Sequence, residues 1–72
     1  MDISIRDVRP EDWPVALAAA RKHAAEYADR DAGWRRSVGY RYAVKGDHLS
    51  LMVWWTPKRA LSVSGFYDRD IK

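Results

Sequence analysis

The alternation of apolar and polar positions is clearest between residues 34 and 56, where a glycine divides it into two segments. Apolar residues occupy mainly the even positions of segment 34–45 and the odd positions of segment 48–56, as expected for two strands that each bury one face. Between them, Gly46-Asp47 predicts a two-residue hairpin turn, because glycine readily adopts the positive φ of the first central position. The pattern therefore predicts a β-hairpin.

The register of this hairpin follows from pairing Lys45 with His48 beside the turn. Apolar residues then oppose one another on one face, in the pairs Val44 with Leu49, Tyr42 with Leu51, Tyr40 with Val53 and Val38 with Trp55. On the reverse face the Trp54 indole would cover Gly39, which supports a glycine within a strand. We therefore expect the first face to be buried and the reverse face to be uncovered.

A third strand is predicted after segment 56–59, which has proline at the favoured second position of a turn. A three-residue loop at this point pairs Trp55 with Leu61 and continues the apolar face. In the same register Gly65 is a candidate β-bulge. Residues 68–72 are expected to form a flexible tail.

The N-terminal part of the chain combines a short strand with an Ala-rich helix. Ile3 and Ile5 alternate with polar residues, and Asp12 is a suitable N-cap for a helix from about Trp13 to Arg30. The apolar stripe expected to face the sheet consists of Trp13, Leu17, Ala20, Ala24 and Tyr27. The helical connection makes the first strand parallel to the second, and the sequence leaves open whether it lies beside the second or the fourth.

Length and element order together predict the fold class. Seventy-two residues suffice for one domain and are too few for two. We therefore expect a single α+β domain over 1–72 in the order β-α-β-β-β. Its helix packs on one face of an antiparallel meander, to which a short N-terminal strand is added.

The composition indicates the cellular compartment and limits the interactions that can stabilise the fold. The chain has no cysteine, which excludes disulfides and thiolate zinc sites, and its four Trp, four Tyr and one Phe must supply much of the core. No run approaches the roughly 20 apolar residues that span a bilayer, and the N-terminus lacks the features of a signal peptide. We expect a cytoplasmic protein without membrane contact, for which self-association is a further source of stability.

The net charge of +3 is unevenly distributed along the chain. Residues 1–33 carry seven acidic and five basic side chains, whereas residues 34–67 carry six basic side chains and one acidic side chain. The predicted meander is therefore the basic part of the chain. This charge pattern weakly favours an anionic partner.

The uncovered face of the sheet is the candidate partner-binding surface. Its predicted partner-binding residues are Arg35, Arg41, Lys45, His48, Met52, Trp54 and Phe66. Aromatic residues, Met and Arg are typical of protein interfaces, and Trp or Phe beside Arg also suits stacking on single-stranded nucleic acid. Three interpretations stay open: a protein or nucleoprotein partner, including a homodimer; a nucleic-acid ligand; and an ordinary solvated face.

Catalytic chemistry has no support in the sequence. His23 and His48 have no second ligand at metal-binding spacing, and we expect His23 to border the apolar stripe and His48 to lie solvated beside the turn. The glycines are isolated, so no phosphate-binding loop is present. The sequence therefore predicts a protein that is not an enzyme, with no catalytic residues, no metal and no cofactor.

Two resemblances bear on function. Ile3-Ser4-Ile5-Arg6, followed by Arg9-Pro10-Glu11-Asp12 and a helix, resembles the opening strand and helix of GNAT-type acetyltransferases. The family's acetyl-coenzyme A loop, Arg/Gln-x-x-Gly-x-Gly/Ala, has no match here, so the activity does not follow. In size and in its lack of cysteine, the chain is also similar to small phage or mobile-element accessory proteins, including anti-CRISPR proteins. This similarity implies a non-enzymatic inhibitor of a host nucleoprotein.

Overall fold

In the part of the chain that the structure describes, one helix packs against one face of a four-stranded sheet, which confirms the predicted α+β class. The computed structural model describes residues 2–27 and 37–69. Its elements are β1 (Ile3–Arg6), a 3-10 turn (Pro10–Asp12), α1 (Trp13–Tyr27), β2 (Val38–Val44), β3 (Asp47–Trp55) and β4 (Leu61–Arg69). The predicted helix end at Arg30 lies outside the described residues.

The strands lie in the order β1-β4-β3-β2, so the first strand is beside the fourth. β1 runs parallel to β4, with Ile3 opposite Leu61 and Ile5 opposite Val63. The backbone N–H of Leu61 donates to the carbonyl of Asp2 at 2.9 Å where this pairing begins. β3 and β4 are thereby the two central strands, and they supply the fully buried residues of the sheet.

The hairpin between β3 and β4 has the predicted register, with Trp55 opposite Leu61. The N–H of Arg59 donates to the carbonyl of Thr56 at 2.9 Å, which closes the predicted turn around Pro57. Arg59 has a φ of 60°, as expected for the last residue of a three-residue hairpin loop. The turn chemistry and the apolar alternation indicate the same loop here, so the sequence was sufficient to predict this register.

The hairpin between β2 and β3 differs from the prediction by two residues. Its turn is Lys45-Gly46, with φ values of 46° and 85°, and Val44 pairs with Asp47. Two positive φ values define the type I′ turn, whose twist matches that of the flanking strands. Since side chains alternate with a period of two, the shift leaves every residue on its predicted face. It does bring Gly39 opposite Met52 in place of Trp54.

The helix face on the sheet matches the predicted stripe only in part: Ala20 is buried and Ala24 packs against the core, but the face as a whole is turned. Its buried residues are Ala16, Ala19, Ala20 and His23. Trp13 is instead 44% exposed and its indole N–H donates to the carbonyl of Val8 at 2.9 Å. The helix is thus rotated by roughly one residue, because small alanines let it approach the sheet more closely than the bulky indole would.

Two further expectations about β4 were wrong. Gly65 pairs directly with Leu51 in an uninterrupted ladder, so it marks no bulge. β4 also continues through Asp68 to Arg69, which pairs with Asp47, so the predicted tail begins no earlier than residue 70. Residues 70–72 lie outside the described residues. The longer strand exists because the shifted turn extends β3 back to Asp47 and provides it with a partner.

Candidate interaction face of the sheet

The sheet face opposite α1 is called the open face below. Across the strands its residues are Ser4, Arg6, Gly39, Arg41, Ala43, His48, Ser50, Met52, Trp54, Ser62, Ser64, Phe66 and Asp68. The apolar face that carries Leu49, Leu51 and Val53 packs against α1. Because strand side chains alternate, residues of the open face point away from the helix.

The structure brings most of the predicted partner-binding residues together on the open face. Arg41 lies on β2, Phe66 lies on β4, and His48, Met52 and Trp54 lie on β3. Lys45 differs from the expectation, because it is a turn residue with positive φ at the end of the sheet and not a strand residue of this face. Arg35 lies outside the described residues.

Two large apolar side chains are prominent on the open face. Phe66 is 60% exposed and Met52 is 46% exposed. They occupy neighbouring rows on β4 and β3, with Phe66 opposite Ser50 and Met52 opposite Ser64. Side chains diagonal to each other on adjacent strands are within reach of contact. The pair therefore forms a small exposed apolar patch in the middle of the sheet.

Large and small residues alternate across β3 and β4 on this face. Three successive cross-strand pairs each combine one large and one small side chain, namely Phe66 with Ser50, Met52 with Ser64, and Trp54 with Ser62. Ser50 and Ser64 line a groove of about 630 Å³, whereas Ser62 is buried. Its lining residues are Asp7, Gly39, Tyr40, Arg41, Ser50, Leu51, Met52, Ser64, Gly65 and Phe66. The groove thus runs across the strands from the β2 side to the β1 side.

The charges at the ends of the groove are opposite in sign. Arg41 lines it on the β2 side, and Asp7 lines it where β1 ends. Asp7 has a φ of 62°, a left-handed conformation that aspartate adopts more readily than most residues. Sequence reasoning missed both Asp7 and Arg6, which the structure adds to this face. Lys45 lies in a turn and not on a strand of the open face, and Lys58 and Arg59 lie in the loop where the sequence predicts them.

A polar cluster outside the open face joins the β1–α1 connection to the end of the sheet where β3 begins. The Tyr67 hydroxyl donates to Asp12 Oδ2 at 2.9 Å and accepts from the backbone N–H of Arg9 at 2.9 Å. The Arg9 guanidinium lies 3.8 Å from the centroid of the Tyr67 ring and 3.1 Å from Asp47 Oδ2. The hydrogen bonds to Tyr67 and then to Asp47 raise the pKa of Arg9.

This cluster is structural in character, because its residues bond one another across the fold. Asp12 was expected to be an N-cap, but its carboxylate receives the Tyr67 hydroxyl and lies 3.4 Å from Arg9 Nε. Asp12 and Tyr67 are separated by 55 positions in the sequence, so no local pattern signals their hydrogen bond. The proximity of Asp47 also depends on the shifted turn.

His23 is fully buried on the sheet side of α1, and not at the border of the stripe as expected. Burial lowers its pKa, and the negative charge of Glu26 opposes that effect. Neither ring nitrogen has a hydrogen-bond partner within the described part of the chain, and the ring packs 4.9 Å from that of Tyr27.

No group of three or more metal-ligating side chains occurs in residues 2–27 and 37–69.

Comparisons with known proteins add no functional assignment. Neither the family models, nor the curated proteins, nor the solved structures include a match to this chain. Among the described residues, no helix has the length and apolar character that spanning a membrane requires.

Proposed function

We propose that this chain is a non-enzymatic interaction protein that binds a protein or nucleoprotein partner, or itself, through the open face. The observation that carries the proposal is the exposure of Phe66 and Met52, at 60% and 46%, along a groove that Arg41 also lines. Aromatic residues, Met and Arg are enriched at protein interfaces, and aromatic and Arg side chains dominate their binding energy.

The energetics support these residues as anchors. Complete burial of a Phe or Met side chain stabilises a complex by about 1.5–3 kcal/mol relative to full exposure. Phe66 and Met52 are only part exposed, so each would contribute a fraction of that amount. Together with Arg41 they form a contiguous set, which is the usual arrangement of residues that carry most of an interface's affinity. In keeping with the size analogy drawn above, a host nucleoprotein is one class of partner.

Affinity purification from the native host, followed by direct binding measurements with variants, tests this proposal. Phe66→Ser and Arg41→Glu should each weaken binding of the co-purified partner by at least tenfold. Arg21→Glu makes the same charge change at an exposed position of α1 and serves as the control that should bind normally. Equal binding by all three variants would show that the open face is not the binding surface.

Single-stranded nucleic acid is the second candidate ligand for the same face. The exposed Phe66 ring could stack on a base, while Arg41 at the groove contacts a phosphate. Binding of a labelled single-stranded oligonucleotide should then weaken steeply with salt, as counterions are released. Arg41→Glu and Trp54→Ala should both abolish it. Absence of binding at low salt would remove this candidate and leave the protein-binding proposal intact.

A further inference from the structure

The alternation of large and small residues on the open face has a definite symmetry. Residues that pair across the strands form a row. In the row of Ser50 and Phe66 the large residue is on β4, whereas in the next row, Met52 and Ser64, the large residue is on β3. In both of these rows, exchanging the positions of β3 and β4 would place a large side chain where a small one lies. A two-fold axis that runs along the strands between β3 and β4 makes this exchange between two stacked copies.

We propose that the partner of the open face is a second copy of this chain, packed face to face about that axis. The inference rests on the proposed function of the open face. In this arrangement Phe66 of each copy lies over Ser50 of the other, and Met52 lies over Ser64. Each large side chain enters a space that the other copy leaves vacant, as in the packing of two aligned sheets about 10 Å apart.

The charges obey the same symmetry. The axis places the β2 side of one copy over the β1 side of the other, so Arg41 of each copy faces Asp7 of the other. Arg6 pairs with Ser64, so Asp7 is level with Gly65 and hence with Tyr40, the residue before Arg41. Arg41 therefore lies only one residue along the strands from the level of Asp7. Arg6 lies in the same row as Gly39, so the two-fold axis places the long side chain of Arg6 in one copy over Gly39 of the other copy. At each rim Asp7 of one copy therefore lies near Arg41 of the other copy and next to its own Arg6, so an acidic group separates two basic ones, which is a self-complementary arrangement about a two-fold axis.

The available area sets the expected strength of the dimer. Four strands about 4.8 Å apart and up to about 30 Å long, two of them shorter, present roughly 500 Å² of sheet per copy. The dimer would bury about 1,000 Å² in total, which is near the lower limit for a specific interface. We therefore expect an equilibrium between monomer and dimer with a dissociation constant on the order of 1–100 μM, and not a permanent dimer.

Sedimentation equilibrium of the purified chain between about 1 and 500 μM tests this inference. The wild type should change from monomer to dimer over that range. Phe66→Ser removes a large residue and Ser50→Phe fills its receiving space, so each should weaken dimerisation by at least tenfold. The double variant Ser50→Phe/Phe66→Ser restores one large and one small residue in each row and should recover the dimer. Arg21→Glu on α1 is the control that should dimerise normally.

Each outcome decides between the alternatives. A chain that stays monomeric at 500 μM, or a dimer that both single variants leave intact, would overturn the inference. A double variant that stays monomeric while retaining the wild-type circular dichroism spectrum and melting temperature would overturn it too. If the chain is monomeric yet Phe66→Ser loses binding to a partner from the host, the proposed function survives and only the identity of the partner changes. If neither self-association nor partner binding responds to Phe66, both fail.

Discussion

The Val8 side chain occupies the space above Gly65 that any larger residue at position 65 would need. A Cβ at position 65 would lie 2.9 Å from Val8 Cγ2 and 2.9 Å from Leu51 Cδ2. Contacts this short require Val8 and the neighbouring leucines to shift within a closely packed core. We therefore expect Gly65→Ala to lower the free energy of unfolding by about 1–3 kcal/mol, as measured by urea denaturation.

The control for this prediction is the same substitution at Gly39. A Cβ there would meet its nearest atoms, Leu51 O and Met52 Sδ, at 3.9 Å, which is ordinary van der Waals contact. Gly39→Ala should therefore be neutral or stabilise the fold by about 0.4–1 kcal/mol, because alanine restricts the unfolded chain. Equal destabilisation by both substitutions would contradict the close packing of Val8 on Gly65.

Removal of two tyrosine hydroxyls should have opposite consequences. The Tyr67 hydroxyl donates to the buried carboxylate of Asp12, so Tyr67→Phe should cost about 1–2 kcal/mol of unfolding free energy. The Tyr40 hydroxyl is buried without a hydrogen-bond partner in the described part of the chain, and burial raises its pKa. Tyr40→Phe should therefore be neutral or stabilising.

A double-mutant cycle sharpens the Tyr67 prediction. Tyr67→Phe and Asp12→Asn, measured singly and together at pH 7, should show a coupling free energy of about 0.5–2 kcal/mol. Additive effects of the two substitutions would mean that the 2.9 Å hydrogen bond contributes nothing to stability.

His23 should make the fold sensitive to acid. Burial lowers its pKa below the ordinary value of 6.5, so the unfolded chain takes up the proton more readily than the folded one. This contribution to stability is complete above pH 6.5 and is lost as the pH falls through the pKa of the folded state, with a slope of at most about 1.4 kcal/mol per pH unit. The negative charge of Glu26 limits the lowering of the His23 pKa, and Tyr27 packs on the ring.

The measurement is the unfolding free energy of wild type and His23→Leu at pH 7.5 and 5.5. The carboxylates are common to both proteins, so the difference between their pH profiles isolates the histidine. We expect the wild type to lose more stability than His23→Leu on acidification. Parallel profiles would show that the imidazole is protonated as easily in the folded chain as in the unfolded one.

The β2–β3 turn offers a stabilising substitution. Lys45 has a φ of 46° in a type I′ turn, a conformation that asparagine adopts at lower cost than lysine. Lys45→Asn should raise the unfolding free energy by about 0.5–1 kcal/mol, whereas the β-branched Lys45→Val should lower it, as read from thermal melting. A turn centred on Gly46-Asp47, as first expected, would leave Lys45 in a strand and reverse the order of the two variants.

Much of the sheet could be predicted because strand alternation and turn chemistry are local. The β3–β4 register was correct, since Pro57 and the apolar alternation pointed to the same loop. The β2–β3 register was wrong by two residues, since Gly46 can occupy either central position of a two-residue turn. The choice depends on contacts outside the hairpin, including the ion pair between Arg9 and Asp47.

The open face was predictable for the same reason, and its details were not. A two-residue shift cannot move a side chain to the other face, so Arg41, Met52 and Phe66 lie where alternation placed them. The groove between them, and the presence of Asp7 at its end, required the side-by-side arrangement of β1 and β4. No spacing within the sequence encodes that arrangement.

The sequence by itself determined the element order, the buried face of each strand and the identity of the open face, because these follow from periodicity within short segments. Tertiary structure decided the position of β1, the rotation of α1 and the polar cluster of Arg9, Asp12, Asp47 and Tyr67. The alanines of α1 and Gly65 let the two layers pack closely. Such packing is a property of residues distant in the chain, and it exists only once they are brought together.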